Sequence, residues 1–429
     1  MLHNQKSRRV AVIGGVRTPF CRSHTAYKKS TNKDLMSAAL KGLVEKFELR
    51  NEALGEVALG ALIKHSNDWN LARESVIECG LSMKTPAFDL QRACGTSLEA
   101  AILIANKISL GQIDSGIAGG TDSISDTPVV YPEEYRHLLM DIHRARSPVD
   151  RIKSFLKIRP KHFKPQFPGV TEPRTGLSMG ESTELMAKTW NIDRKKQDQL
   201  AFNSHCRAAA AYSTGWFNDL VVPFNGVEKD NNIRSDTTLD KLSMLKPVFD
   251  KSNNGTMTAG NSTPLTDGAA SVLLASEEWA KEKNLPIMAY LTFAQASAVN
   301  FVDDEGLLMA PAYAVSDMLK KANLKLQDFD FYEIHEAFAA QTLATLESWK
   351  SEDFCRNKLA RSEPMGSIDF DRLNTKGGSI AIGHPFAATG ARIVATMAKL
   401  LNEKGSGRGL ISVCTAGGMG VTAIMETEK

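Results

Sequence analysis

The sequence predicts an α/β protein built from two similar layered halves, with an irregular insertion in the first. Three observations carry this. Short apolar strand candidates alternate with amphipathic helix candidates along most of the chain. A strand–turn–helix–strand unit around residue 94 recurs in the last fifty residues. Between Ser123 and about Gly180 the alternation stops and prolines recur at 128, 132, 148, 160, 165, 168 and 173.

In order, VAVIG at Val10–Gly14 reads as a buried strand, Asp34–Glu48 as an amphipathic helix and Val57–Ala61 as a second strand. Leu71–Cys79 reads as a helix. Phe88–Gln91 leads into the helix GTSLEAAILIANKIS, and SGIAGGTD at Ser115–Asp122 returns as a strand. After the proline-rich excursion, Glu181–Trp190 and Lys195–Thr214 are helical. Asp250–Gly268 is a polar loop rich in Gly and Thr, and SVLLAS is a buried strand. The plan then restarts near Pro286. IMAYLTFAQAS is a strand, AVSDMLKKANL a helix, and FDFYEIHEAFAAQTLATLESW a strand running into a helix. Ser379–Leu401 is a turn and helix, and Leu410–Cys414 a strand. The expected division is a first half over 1–285, with a loop insertion at about 124–250, and a second half over 286–429. A pseudo-two-fold core of this kind places a cleft at the strand ends, where α/β proteins bind ligands.

Composition narrows the classes of function. The 429 residues exceed one ordinary core, and 42% hydrophobic with 24% charged residues is ordinary for a globular protein. A net charge of +3 gives no field directed at nucleic acid. Six scattered cysteines (Cys21, Cys79, Cys94, Cys206, Cys355, Cys414) form neither a disulfide framework nor a zinc pattern, which fits a reducing compartment. No apolar run approaches the ~18–20 residues of a membrane span. The N-terminus shows no signal-peptide apolar region, and its basic stretch is short for a transit peptide. Arg144–Lys164 holds eight Lys or Arg against one acid, Asp150, with Ile152, Phe155, Leu156 and Ile158 as an apolar side. A solvated cover loop, a membrane-surface segment and a partner-docking helix all fit that pattern.

Four residues could carry chemistry. Cys94 stands among small neighbours at a helix start, where the helix's positive end favours a thiolate; a buried structural cysteine is the alternative. His384, in GGSIAIGHPFAATG, lies at a second helix start, which keeps an imidazole neutral and suits a base. Cys414, in LISVCTAGGMG, ends an apolar strand at a glycine turn whose N–H groups could form an oxyanion site. His335, in YEIHEAFAAQ, lies at a strand-to-helix switch beside Glu336. For these three, too, a structural role stays open on local sequence alone.

Taken together, the motifs resemble the thiolase family from end to end. RACGTS is similar to its nucleophile block, MGESTELMA to its MGxTAE block and TMTAGNSTPLTDGAA to its TAGN block. HEAFA, GGSIAIGHPFAATGAR and CTAGGMG resemble its three C-terminal blocks. His335 stands where most thiolases have Asn, and His there resembles the β-subunits of fatty-acid β-oxidation complexes, as does FLKIRPKHFKPQFPGVTE. Ala416 stands where many members have Gly, and it serves as a backbone donor if its φ stays negative.

The resemblance implies the thiolase fold, two βαβαβαββ halves in an α-β-α-β-α core plus the loop insertion. It implies a 3-ketoacyl-CoA thiolase that works through a Cys94 acyl-enzyme. His384 is the base, Cys414 the general acid and His335 an oxyanion contributor, with the backbone N–H groups of Cys94 and Ala416 as an oxyanion pair. Met179, Ala259, Ser262, Thr263 and Phe338 are expected along the CoA tunnel, with Lys or Arg of the excursion near the phosphates. CoA is a substrate, and no cofactor or metal is implied. A homodimer core is expected, with an α-subunit carrying hydratase and dehydrogenase activities in an α2β2 complex. Membrane-surface contact is expected through about 144–164. A bacterial cytoplasmic site is expected over a mitochondrial one. A biosynthetic acetoacetyl-CoA thiolase, a ketoacyl synthase and a non-catalytic lipid carrier on the same fold are the competing readings. Retention of Cys94, His384 and Cys414 speaks against the last, and Cys414 against a synthase.

Overall fold

In the computed structural model, which describes residues 7–303 and 305–427, the strands form one mixed sheet. They are β1 (Val10–Arg17), β2 (Cys21–Arg22), β3 (Glu56–Leu59), β4 (Ala87–Asp89) and β5 (Ser115–Asp122). They continue with β6 (Thr266–Ser276), β7 (Ala289–Ala298), β8 (Phe331–Ile334), β9 (Gly407–Thr415) and β10 (Met419–Thr427). The order is β4-β3-β5-β6-β1-β7-β10-β9-β8, with β2 on β6. Read outward from the β1–β7 junction, the two sides match. β1 and β7 each pair antiparallel with the last strand of their own half, β6 and β10. Those strands pair antiparallel with β5 and β9, which pair parallel with β3 and β8. β4 extends the first half, whereas its counterpart in the second is a single parallel bridge from Tyr332 to Leu373. The junction itself is narrow: Ala11 opposite Tyr290 and Val12 opposite Ala289.

All residues of β1, β5 and β6 are buried, as near-continuous apolar strands covered on both faces must be. The cover is a central pair of helices, Thr96–Ser109 and Thr389–Lys404, which pack on each other and between the two halves. Twelve of the sixteen residues of the second are buried. Their close crossing depends on Gly390, where an added Cβ would lie 2.3 Å from the Leu98 nitrogen. Asn32–Lys46 and Leu71–Cys79 cover the first half from outside, and Ala310–Ala322 the second. This is the α-β-α-β-α layering that the resemblance implies.

The chain between β5 and β6 leaves the sheet. The excursion forms two amphipathic helices, Glu133–Arg144 and Pro148–Phe155. Tyr135 stacks on His162 and packs against Phe163, with ring centroids 5.8 and 5.4 Å apart. The expected apolar side is turned outward: Ile152, Phe155 and Leu156 are 60%, 62% and 69% exposed. The polar Gly- and Thr-rich loop ends at Leu265, because β6 starts at Thr266.

Candidate active site

Both halves prepare the site in the same way. In each, a three-residue 3-10 turn runs directly into a long helix that begins with threonine. The turns are Ala93–Gly95 and Phe386–Ala388, and the helices begin at Thr96 and Thr389. Cys94 is the middle residue of the first turn. Ala93 holds φ at 43°, in the left-handed region that a residue with a Cβ avoids, which costs roughly 1–3 kcal/mol. The Thr96 hydroxyl closes this turn: it accepts from the Arg92 N–H (2.9 Å) and donates to the Ala93 carbonyl (2.7 Å).

His384 precedes the second turn. Its backbone N–H donates to Thr266 Oγ1 (2.6 Å), and its Nδ1 meets Thr389 Oγ1 (2.5 Å). With Nδ1 held there, Nε2 points at Cys94 Sγ, 3.2 Å away. His335 follows β8. Its N–H donates to the Ser412 carbonyl of β9 (2.8 Å), and its Nδ1 lies 2.8 Å from Ser379 Oγ. The two imidazoles lie 4.1 Å apart by ring centroid. The Cys94 sulfur and one nitrogen of each histidine fall within 4.8 Å of one another. Sulfur and imidazole are also donors that zinc accepts, so among the described residues this trio could hold a metal ion.

The electrostatics are those of a dry site. The Cys94 thiol is pushed up to about 12, by burial first, against backbone hydrogen bonding from Ala416 and from Cys94 itself. The thiolate expected from the helix start is therefore not the resting form. Removing the charge from water costs more than one helix end returns. Cys94 still keeps a partly open face, so it is reachable. His384 is lowered to about 3, by burial and then by Arg392, and rests neutral. His335 is held well below the usual imidazole range by burial, then by His384 and Arg392. The Cys414 thiol is raised well above its ordinary value by burial and then by the neighbouring Cys94. Resting thiols and imidazoles are thus all uncharged.

Ala416 is absent from the positive-φ residues, whereas Gly417 and Gly418 hold φ at 78° and 68°. The turn's left-handed residues are the glycines, so alanine fits beside them. The Gly417 N–H donates to Glu172 Oε1 (2.6 Å), tying this turn to the excursion.

The thiolase N-terminal domain family matches residues 10–278, and the thiolase C-terminal domain family matches 286–427. The chain belongs to the thiolase family. A 3-ketoacyl-CoA thiolase of Shewanella sp. is 40% identical over 99% of this chain and 98% of its own length. A 3-ketoacyl-CoA thiolase of Yersinia pestis is 41% identical over 98% and 97%. Among solved structures, the Bacillus anthracis acetyl-CoA acetyltransferase superposes with a TM-score of 0.83 at 28% identity, covering 99% of this chain and all of that one. Human mitochondrial 3-ketoacyl-CoA thiolase in complex with CoA gives 0.81 at 28%, covering 98% of each chain.

The remaining expected residues of this thiolase fall into two groups. Ala259 and Ser262 line a cavity of about 210 Å³ with Arg22, Arg234, Lys241 and His205. Ser262 Oγ is buried without a hydrogen-bond partner among the described residues. Met179 and Phe338 lie outside that lining, in one apolar cluster with Phe249, whose ring meets Phe338 edge-on at 5.8 Å. A β-bridge between Ser262 and Phe338 joins the groups. Thr263 spends its hydroxyl on the Ser379 carbonyl (2.9 Å). The lysines and arginines of Arg144–Lys164 do not line the cavity; its cations come from other segments.

Several site residues escape a motif reading. Thr389 orients His384. Asp122, at the end of β5, accepts from the N–H groups of Leu62, Ile63 and Ala387, and so ties the first half to the second turn. Glu336 accepts from Ser204 (2.8 Å), Asn374 (2.6 Å) and the Ile380 N–H (3.3 Å), which fixes the loop after His335. Their signal in the sequence is a buried polar residue beside a glycine turn, and it does not name a partner.

Proposed function

We propose that the protein is a 3-ketoacyl-CoA thiolase, an acetyl-CoA C-acyltransferase of fatty-acid β-oxidation. The observation that carries the reading is the 3.2 Å contact between a neutral His384 Nε2 and the Cys94 sulfur. Cys94 gives its proton to His384 as the sulfur attacks the 3-keto carbon. The C2–C3 bond then breaks, its electrons pass to the leaving acetyl-CoA enolate, and the acyl group remains as a thioester on Cys94. Cys414, a thiol kept protonated by burial, delivers its proton to the enolate carbon. Incoming CoA gives its thiol proton to the Cys414 thiolate and attacks the thioester; the shortened acyl-CoA leaves, and the expelled Cys94 sulfur takes its proton back from His384. The N–H groups of Cys94 and Ala416 hold the thioester oxygen, and His335 with His384 serves the enolate oxygen. A neutral pair suits this cycle, since thioester exchange is nearly isoenergetic and needs no stored thiolate.

CoA occupies the cavity at Ala259 and Ser262, with Arg22, Arg234 and Lys241 at its phosphates, and its pantetheine reaches Cys94 past Met179, Thr263 and Phe338. The protein assembles as a homodimer with an α-subunit carrying hydratase and dehydrogenase activities, in an α2β2 complex of the bacterial cytoplasm. Exposed Ile152, Phe155 and Leu156 among exposed Arg151, Lys153 and Lys157 support docking of the excursion on that partner or on a membrane surface.

The test is a thiolysis assay across 3-ketoacyl chain lengths, with mass spectrometry of the acyl-enzyme. Turnover of medium or long chains with acylation at Cys94 is expected. Activity confined to acetoacetyl-CoA would favour the biosynthetic reading, to which the likeness to the B. anthracis acetyltransferase lends support. Absence of acylation at Cys94 would reject both.

A further inference from the structure

Behind His335 lies a buried polar chain that the reaction itself does not touch. Ser379 Oγ has two neighbours, His335 Nδ1 and Arg392 Nη2, each 2.8 Å away. Arg392 is 2% exposed, and its Nη1 stands 3.6 Å from the equally buried Glu333 carboxylate. Ser379 is itself pinned. It opens the short helix Ser379–Ile382, and its carbonyl accepts from Thr263 Oγ1 and the Gly383 N–H, both at 2.9 Å.

Proton counting then decides what His335 must be. A guanidinium only donates, so Ser379 Oγ accepts from Arg392. The serine has one hydrogen left, and His335 Nδ1 is the acceptor within reach. If Nδ1 carried a proton, Ser379 would face two donors and its own hydrogen would have no acceptor. If Nδ1 is bare, the Ser379 hydroxyl has both an acceptor for its hydrogen and a donor to its oxygen. The imidazole proton then sits on Nε2, a buried atom with no hydrogen-bond partner among the described residues.

We infer that Ser379, oriented by Arg392, is a positioning residue that locks His335 as the Nε2–H tautomer and so aims a neutral donor at the substrate's oxygen. The inference rests on the thiolase reading for what that donor meets. His384 must use the opposite tautomer, since its Nε2 has to accept the Cys94 proton while Nδ1–H donates to Thr389. Two imidazoles 4.1 Å apart are thus set to opposite tasks by two hydroxyls, one accepting and one donating. Ser379 touches no reacting atom, and it acts through His335.

The test joins a spectrum to a rate. In uniformly ¹⁵N-histidine-labelled enzyme, His335, assigned by its loss in His335→Asn, is expected to show a protonated-type shift at Nε2 and a bare-type shift at Nδ1. Ser379→Ala is expected to mix the two patterns and to lower kcat about tenfold to a hundredfold, the scale of other orienting contacts. Ser379→Thr, which keeps the hydroxyl, is expected to restore both. A proton on Nδ1 in the unsubstituted enzyme would overturn the inference even if thiolysis is normal, and that spectrum stands whether or not Ser379→Ala folds. An unchanged spectrum and kcat in Ser379→Ala would overturn it as well. Loss of thiolysis in the unsubstituted enzyme would strike the functional reading and leave the tautomer assignment standing.

Discussion

The two halves use one device for two purposes. In the first, the turn Ala93–Gly95 presents Cys94, the proposed nucleophile, and the hydroxyl of the following Thr96 turns back on its own backbone. In the second, the turn Phe386–Ala388 presents no reactive group, and the hydroxyl of Thr389 meets the side chain of His384, the proposed base. The first threonine shapes the backbone under a strained Ala93, and the second orients a side chain. On the proposed mechanism a duplicated scaffold divides the labour: one half supplies the atom that attacks, and the other supplies what moves its proton. The close crossing at Gly390 keeps the two turns face to face.

Substitutions can break this contrast, and the largest effect belongs to the nucleophile. Cys94→Ser is expected to lower kcat by at least about a thousandfold and to abolish acyl-enzyme labelling, read by intact-mass spectrometry. Labelling that persists on another residue would remove Cys94 from its role. Thr389→Val should reduce kcat about tenfold to a hundredfold, because His384 loses the partner of Nδ1, with little change in melting temperature. Thr96→Val should do the reverse. It strips two backbone groups of their partner, and a loss of about 1–3 kcal/mol of stability should appear in denaturant unfolding, with a smaller change in kcat. If both variants lost rate and stability alike, the two threonines would have one role.

Gly390→Ala tests the crossing that serves both turns. Its Cβ would press on the Leu98 backbone, which cannot move aside as a side-chain tip can. A cost of about 1–3 kcal/mol is expected, and a neutral result would mean that the helices can part without loss. The smallest expected effect is one of pH. His384, lowered to about 3, is neutral above that value, and Cys94, raised to about 12, is protonated below it. Neither titrates between pH 6 and 9, at about the neutral range where ordinary imidazole and thiol groups do. Acylation of the free enzyme by acyl-CoA should therefore be flat across that window. A limb with its midpoint inside that window would contradict the neutral pair.

Much of this was legible in the chain. The apolar strands VAVIG and SGIAGGTD, the helix Leu71–Cys79 and the repeat around Cys94 and His384 are written in local periodicity, which needs no partner to be read. The charge state of Cys94 was not. A helix start favours a thiolate, but the depth of burial depends on what the second half lays over it. Ser379 and Arg392 were equally silent, because a serine and an arginine in a glycine-rich stretch look like surface residues until a fold encloses them. Composition leaves the excursion open between a solvated cover loop, a membrane-surface segment and a docking helix. Only the structure shows that Ile152, Phe155 and Leu156 face outward, and that the cations lining the cavity come from Arg22, Arg234 and Lys241.

The sequence by itself determined which residue types stand at which turns, since turn chemistry and apolar period are properties of neighbours. Tertiary structure alone decided their protonation. Desolvation and proton counting are properties of an enclosed space, and that space exists only once the halves have closed on Cys94.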